Sequence, residues 1–310
     1  MRYPRDIVLR ALLLSAALVA TQVPPPPEGA PTTPALRRLV ADDGRVERVA
    51  TNFRAVDGAV WVDGALVVSD PPRNLILSLR EQAPPAVVSD DSGGTAGLLV
   101  DAATRLVAAE RVRRRVVRRE DGETTVLVDR VSGQPLHGPT DLALAGDGTI
   151  YVLDQPLARR PPSRQGRVIR LDEAGAAVVV VAGLPRPTGL AVTGDGRTLY
   201  VADAALSEVR AYALDAAGTA GPARRLASIV PWKRGLRGRP GGITLDGTGR
   251  LYLAGPGGIW VLDGNGGRLG VIATPETPSA SAFGGADGRT LYIAAETSVY
   301  KVRMTEGVVR

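Results

Sequence analysis

The sequence predicts an all-β fold: a six-bladed β-propeller with four-stranded antiparallel blades, its ring closed by an N-terminal strand. Three observations predict it. The first is a hairpin unit, clearest in PTGLAVTGDGRTLYVADA from Pro187 to Ala204. There the apolar run Leu190-Ala191-Val192 turns at Gly194-Asp195-Gly196 into Leu199-Tyr200-Val201-Ala202. Glycine supplies positive φ at such a turn, and β-branched or aromatic residues on either side suit a pleated surface. The second is recurrence. Equivalent units lie at Asp57, Ala96, Thr140, Thr188, Gly241 and Ala280, spaced 39, 44, 48, 53 and 39 residues apart. Repeats of roughly 40 to 50 residues that hold several short strands are propeller blades. The third is composition: 37 Gly and 24 Pro punctuate many short strands, and the absence of Cys excludes disulfides and Cys-ligated metals. Blades bury their faces only against one another, so the 310 residues are expected to form one closed domain.

In chain order, residues 1–20 combine Arg2, Arg5 and Arg10 with the apolar run ALLLSAALVA. A positive leader, a short apolar stretch and small residues near Ala20 are expected of a secretory signal peptide, and ten apolar residues are too few to cross a bilayer. The chain is therefore expected to be exported, to the periplasm or beyond, with no membrane span. Residues 21–36, opened by Val23-Pro24-Pro25-Pro26-Pro27, read as a stiff Pro-rich linker, and residues 37–310 as the propeller. Arg37 to Ala50 alternates apolar and charged residues ahead of the first unit. It is expected to complete the blade that ends in Val299-Tyr300-Lys301-Val302-Arg303, which leaves no long open edge.

Between the inner hairpins, outer strands are expected at residues 75–79, 167–171, 209–213 and 259–262, and the basic run Arg111 to Arg119 takes the same place in the second blade. As a strand its arginines face solvent. As a patch with Lys233, Arg234, Arg237 and Arg239 it would attract a polyanion. No aromatic residues interleave it for base stacking, so no nucleic-acid partner is expected.

His137, the only histidine, lies three residues before Thr140, where an imidazole near the channel could act as a general base or simply sit in a loop. Ser69, Ser89, Ser92 and Ser207 lack the spacing of a nucleophile elbow, and one histidine gives a Ser-His-Asp triad little support. No Gly-rich phosphate loop opens a helix.

The segments DGAVWVDGALVVSDPPRNLI, LVAAERVRRRVVRREDGETTVLVDR, GPTDLALAGDGTIYVLDQP, PTGLAVTGDGRTLYVADA and SAFGGADGRTLYIAA, in this order, resemble the SMP-30/gluconolactonase/LRE-like family from Asp57 through Arg303. The resemblance implies a six-bladed propeller. In active members it also implies hydrolysis of sugar lactones by a divalent ion, often Ca²⁺ or Zn²⁺, at the top of the central channel. Carried over position by position, it puts Asp57 where active members have Glu, Thr188 at the Asn of Pro-Asn-Gly, and Gly241 at the Asp of Pro-Asp-Gly. Thr140 replaces the Asn of Pro-Asn-Asp, whose Asp is kept as Asp141, and Ala96 and Ala280 fall where Asn is often seen. A hard divalent cation wants carboxylates and carbonyl oxygens. Asp57, Thr188 and Gly241 offer one carboxylate, one hydroxyl and no donor, so the resemblance implies a depleted ion site and no cofactor is expected. A divalent metal (Ca or Zn) is expected only if the family site is retained, with Asp141 or Glu110 supplying the missing charge.

Two functions follow as expectations. One is weak or altered hydrolysis of a sugar lactone or other ester, with Asp57, Asp141 and His137 as catalytic candidates and Thr140, Thr188 and Glu110 facing substrate or channel. The other is a non-catalytic propeller that binds a sugar, lipid or protein partner at its channel face.

Overall fold

The computed structural model describes residues 27–41, 44–157 and 165–308. The leader expected over residues 1–20, and the linker as far as residue 26, lie outside the described residues. Of six four-stranded sheets, five run in sequence order from the channel outward, and in all six every neighbouring pair is antiparallel. Blade 1 comprises Ala59–Val62, Ala65–Asp70, Leu75–Leu79 and Ala86–Ser89. The inner strands of blades 2 to 6 are Thr95–Val100, Pro139–Leu144, Pro187–Val192, Ile243–Leu245 and Pro278–Gly284. In blade 6 the outermost place belongs to Glu47–Ala50, which pairs with Ser298–Arg303, Glu47 opposite Lys301 and Ala50 opposite Val299.

Only the end of the stretch expected as the closing strand is a strand. Pro34–Leu39 is a helix, because the Thr33 side chain accepts from the Leu36 amide and Pro34 fits the first turn, where its missing N–H is no loss. Leu36 and Leu39 are buried in a cluster with Tyr252, Ile272, Leu291 and Tyr300, so the helix lies across blades 5 and 6. Pro31 is docked too, its carbonyl accepting from the Val271 amide at 2.7 Å. The border expected between linker and propeller at residue 36 therefore falls inside a packed helix.

The second strand of each blade is sandwiched between its own sheet neighbours and the faces of adjacent blades. Ala65–Asp70, Ile150–Asp154 and Leu251–Gly255 are accordingly buried along their whole length and begin as apolar runs, the first two closing on a buried acid. Outermost strands such as Ala86–Ser89 and Glu123–Val128 are mostly exposed. Aromatic pairs join neighbouring blades: Trp61 stacks on Tyr292 with centroids 5.2 Å apart, and Tyr252 meets Phe283 edge-on at 5.0 Å. Towards the axis the inner strands approach so closely that a Cβ on Gly58 would stand 2.3 Å from the Ala96 carbonyl, and one on Gly189 2.2 Å from that of Gly241. Only glycine fits there.

The basic run divides in two. Arg111–Arg114 forms the turn into the third strand of blade 2, Arg115–Glu120. Its arginines are neither simply solvated nor gathered as a patch, since Arg115 and Arg119 clamp the buried Glu110 carboxylate at 2.6 and 2.7 Å and Arg118 reaches Asp101 at 3.0 Å.

Candidate active site at the channel mouth

The inner strands enclose an axial cavity of about 300 Å³ whose wall is drawn from all six blades. Its mouth is shaped by β-bulges. The ladder between inner and second strand shifts register between Thr95 and Leu98, Pro139 and Asp141, Pro187 and Gly189, and Pro278 and Ala280. A bulge adds a residue and re-aims its side chain. In blades 3, 4 and 6 the added residues are Thr140, Thr188 and Ser279. Ser279, not Ala280, is thus the blade-6 counterpart of the two threonines, one residue earlier than the expected register. The preceding prolines, Pro139, Pro187, Pro240 and Pro278, mark the position in the sequence itself.

These hydroxyls tie the ring together. Thr188 Oγ1 donates to the Pro240 carbonyl of blade 5 at 2.6 Å, and Ser279 Oγ to the Val56 carbonyl leading into blade 1 at 2.7 Å. Ser69 Oγ bridges blades 1 and 2, accepting from the Gly58 amide and donating to the Ala96 carbonyl. Thr140 Oγ1 lies 3.4 Å from the Leu153 carbonyl of its own blade. At Gly241 a Cβ would meet the Ser279 carbonyl at 2.9 Å and the Ala254 methyl at 3.1 Å, so any side chain there requires the backbone to move.

Asp141 occupies the position that is Gly189 in blade 4 and Gly242 in blade 5. Its Oδ1 accepts from the Leu142 amide at 2.9 Å and its Oδ2 from the Leu190 amide of the next blade at 3.0 Å. It is the only carboxylate among the described residues of the cavity wall. Burial pushes its pKa up to about 7; the two amide bonds pull against that rise and the charge of Asp57 adds to it. Asp57, at the start of blade 1, keeps only part of its surface in contact with solvent. Burial raises its pKa as well, opposed by the nearby Arg111 guanidinium.

The other candidates are held elsewhere. Glu110 is fully buried outside the cavity wall in the Arg115–Arg119 clamp, with Arg113 at 3.7 Å, so it is neither a channel residue nor a spare ligand. The backbone amides of His137 and Gly138 both donate to Asp154 Oδ1 at 2.8 Å, and the His137 ring Nδ1 lies 3.9 Å from Asp154 Oδ2. The ring is thus placed at Asp154 rather than on the cavity wall.

Asp154 belongs to a set that sequence reasoning missed. Asp70, Asp154 and Asp203 end the second strands of blades 1, 3 and 4 and are fully buried. Each accepts backbone N–H groups from the loop that enters its own inner strand: Arg54 and Ala55, His137 and Gly138, and Arg186. Buried carboxylates satisfied this way fix the loops that carry the mouth residues. Their signal is an acid closing an apolar run, as in Val68-Ser69-Asp70 and Val152-Leu153-Asp154. Among the described residues no group of three or more His, Cys, Asp or Glu converges as a metal site.

Comparison with known proteins agrees with this architecture. The SMP-30/Gluconolactonase/LRE-like region matches residues 56–297. A gluconolactonase of Zymomonas mobilis is 28% identical, over 87% of this chain and 84% of that protein. The structure of a gluconolactonase from Xanthomonas campestris superposes with a TM-score of 0.80 at 31% identity, covering 92% of this chain and 99% of that one. Regucalcin from Agrobacterium tumefaciens, a calcium-binding protein, shares the fold with a TM-score of 0.72 at 16% identity, over 86% of this chain and 98% of that one. With its six blades and a family match over most of its length, the chain belongs to the SMP-30/gluconolactonase/LRE-like family.

Proposed function

We propose that the chain hydrolyses a lactone or related ester at the channel mouth, more slowly than an efficient enzyme, with Asp141 as general base and no tightly held divalent cation. The observation that carries this reading is Asp141 itself. It is a cavity-wall carboxylate, fixed by two amide bonds, whose proton affinity lies where a base can work near neutral pH. Kinship with gluconolactonases supports a lactone as the substrate.

In this reading a water oxygen attacks the carbonyl carbon while Asp141 takes its proton. The tetrahedral intermediate then collapses by breaking the carbon–oxygen bond of the ring, and the departing alkoxide recovers that proton. Blades 4 to 6 present Thr188, Gly241 and Ser279, an uncharged side where the polyol can lie. The residues do not fit a divalent ion well. Thr188 is committed to the Pro240 carbonyl, Gly241 has no donor and no room for one, and Glu110 is clamped by arginines. No step is therefore routed through a metal.

The test is hydrolysis of glucono-1,5-lactone and simple δ- and γ-lactones by the purified chain, followed by proton release above the spontaneous rate. Melting curves with millimolar Ca²⁺, Zn²⁺ or Mn²⁺ run alongside. Hydrolysis unchanged by EDTA and a melting temperature unmoved by the ions are expected. An ion present at a hundred times its dissociation constant would add about 2.7 kcal/mol, or about 5 °C or more in a chain of this size. Such a rise, with activity lost to EDTA, would restore the metal-dependent reading. Sugar or lipid binding with no turnover of any lactone would place the chain in the non-catalytic class.

We also propose export, motivated by the charged and apolar leader before Ala20. Mass spectrometry of the protein from its native host should find a mature N-terminus between Ala20 and Gln22. A chain that retains Met1 in the cytoplasmic fraction would refute it.

A further inference from the structure

We propose that Arg111 is the fixed positive charge of this site: its guanidinium, from blade 2 between the blade-1 and blade-3 carboxylates Asp57 and Asp141, receives the ester carbonyl oxygen and stabilises the oxyanion. The inference rests on the reading of the site as a hydrolase and adds the group that reading lacks. Water attack by way of Asp141 moves the carbonyl π electrons onto oxygen. That charge needs a donor already in place, because preorganised donors aimed at developing charge are usually the largest single contribution to such a step.

Arg111 is distinguished from the rest of its basic run by what it does not do. Arg113 pairs with Asp91 at 2.6 Å, Arg115 and Arg119 hold Glu110, and Arg118 holds Asp101. Of the two arginines outside these pairs, Arg114 is exposed, whereas the Arg111 Nε is buried without a hydrogen-bond partner; the Arg119 Nε is buried likewise, but that side chain is already held on Glu110 through its terminal nitrogen. A buried guanidinium N–H left unmade is unfavourable unless something arrives to accept it. The turn that carries it is fixed, since the Val112 amide donates to the Gly93 carbonyl at 3.1 Å and the Arg114 amide to the Arg111 carbonyl at 3.4 Å. Arg111 is off the axial cavity wall but follows Glu110, which pairs with Thr95 at the start of the blade-2 inner strand. The next residues of that strand lie against both acids' segments: a Cβ on Gly58 would meet the Ala96 carbonyl at 2.3 Å, and one on Gly97 the Asp141 Oδ1 at 3.2 Å. The inner strand of blade 2 begins Thr95-Ala96-Gly97, so no long side chain from its start competes for the space. The alternative is that Arg111 serves only as a counter-ion that keeps Asp57 folded in place.

The variants Arg111→Ala, Arg111→Gln and Arg111→Lys separate the two, with Arg114→Gly in the same turn as control. Arg114 is exposed at φ 54°, where glycine is at ease. Arg111→Ala and Arg111→Gln are expected to lose roughly 10²- to 10³-fold in kcat, the cost of removing one oxyanion donor, with KM changed less than about threefold. Arg111→Lys should retain an intermediate rate, and added guanidinium ion should restore part of the activity of Arg111→Ala. Arg114→Gly should match the parent. A counter-ion alone would move the melting temperature but would give no rescue by guanidinium. If the parent hydrolyses lactones and Arg111→Ala does so equally, or if its loss is not rescued, the oxyanion assignment is overturned and the hydrolase reading stands. If the parent hydrolyses none, both fall.

Discussion

Asp141→Asn is expected to lower lactone hydrolysis by roughly 10²- to 10⁴-fold, the usual contribution of a positioned general base, and to abolish the pH dependence that the parent shows near neutrality. The sign follows from the raised pKa of about 7. A base works only when deprotonated, so the parent rate above background should rise as pH passes through about 7 and level off above it. Asn takes up no proton, so the variant should show only the background dependence on hydroxide. Its stability should change in the opposite sense. A carboxylate whose folded pKa is raised is favoured in its protonated form, so the parent loses stability as pH climbs from the unfolded value of about 4 towards 7. Asn escapes that loss, although its single acceptor oxygen can satisfy only one of the Leu142 and Leu190 amides now served by two oxygens. The expected result is a folded, nearly inactive protein whose melting temperature exceeds the parent's most clearly above pH 8. A variant that keeps more than a tenth of the activity with the parent's pH profile would remove Asp141 from the mechanism.

Much of this fold was legible because a propeller writes its architecture once per blade. The second strands are buried on both faces, so Tyr200-Val201-Ala202 and Leu251-Tyr252-Leu253 stand out as apolar runs beside Gly-rich turns. The outermost strands did not stand out, because Ala86–Ser89 and Glu123–Val128 are largely exposed and their valines do not alternate with polar residues. The Pro34–Leu39 helix was hidden by its prolines, which suggest an extended linker unless Thr33 is read as a cap.

At the site, the positions of Asp57, just before the inner strand of blade 1, and of Asp141, inside that of blade 3, were legible from the repeats. Arg111 was not. Nothing in Arg111 to Arg119 separates the one arginine beside Asp57 from those that clamp Glu110, since that difference arises only when the turn and its partners are in space. The clamp also explains the misplacement of Glu110. An acid next to a strand end resembles a mouth residue until the arginines of the following strand are seen to close over it.

The largest effect on stability is expected from deleting residues 35–50. Those residues supply Glu47–Ala50, the fourth strand of blade 6, whose removal leaves the edge of Ser298–Arg303 unpaired. They also supply Leu36 and Leu39, which are 2% and 6% exposed against Tyr252, Leu291 and Tyr300. Burying two such side chains contributes about 3–6 kcal/mol, and the contacts of the strand add to it. Two backbone hydrogen bonds go with them, Ala41 N to Arg303 O and Thr305 N to Leu39 O, as does the bond from the Thr305 hydroxyl to the Arg38 carbonyl. Since the whole stability of a domain is about 5–15 kcal/mol, the truncated chain should lose cooperative unfolding, and its open, partly apolar edge should make it associate. The single variant Leu39→Ala should cost about 2–5 kcal/mol by chemical denaturation and remain folded, which locates the effect in packing rather than in chain length. If the truncated protein instead melts cooperatively within a few degrees of the full chain, blade 6 is stable with three strands, and the N-terminal segment is an ornament of the ring rather than part of its closure.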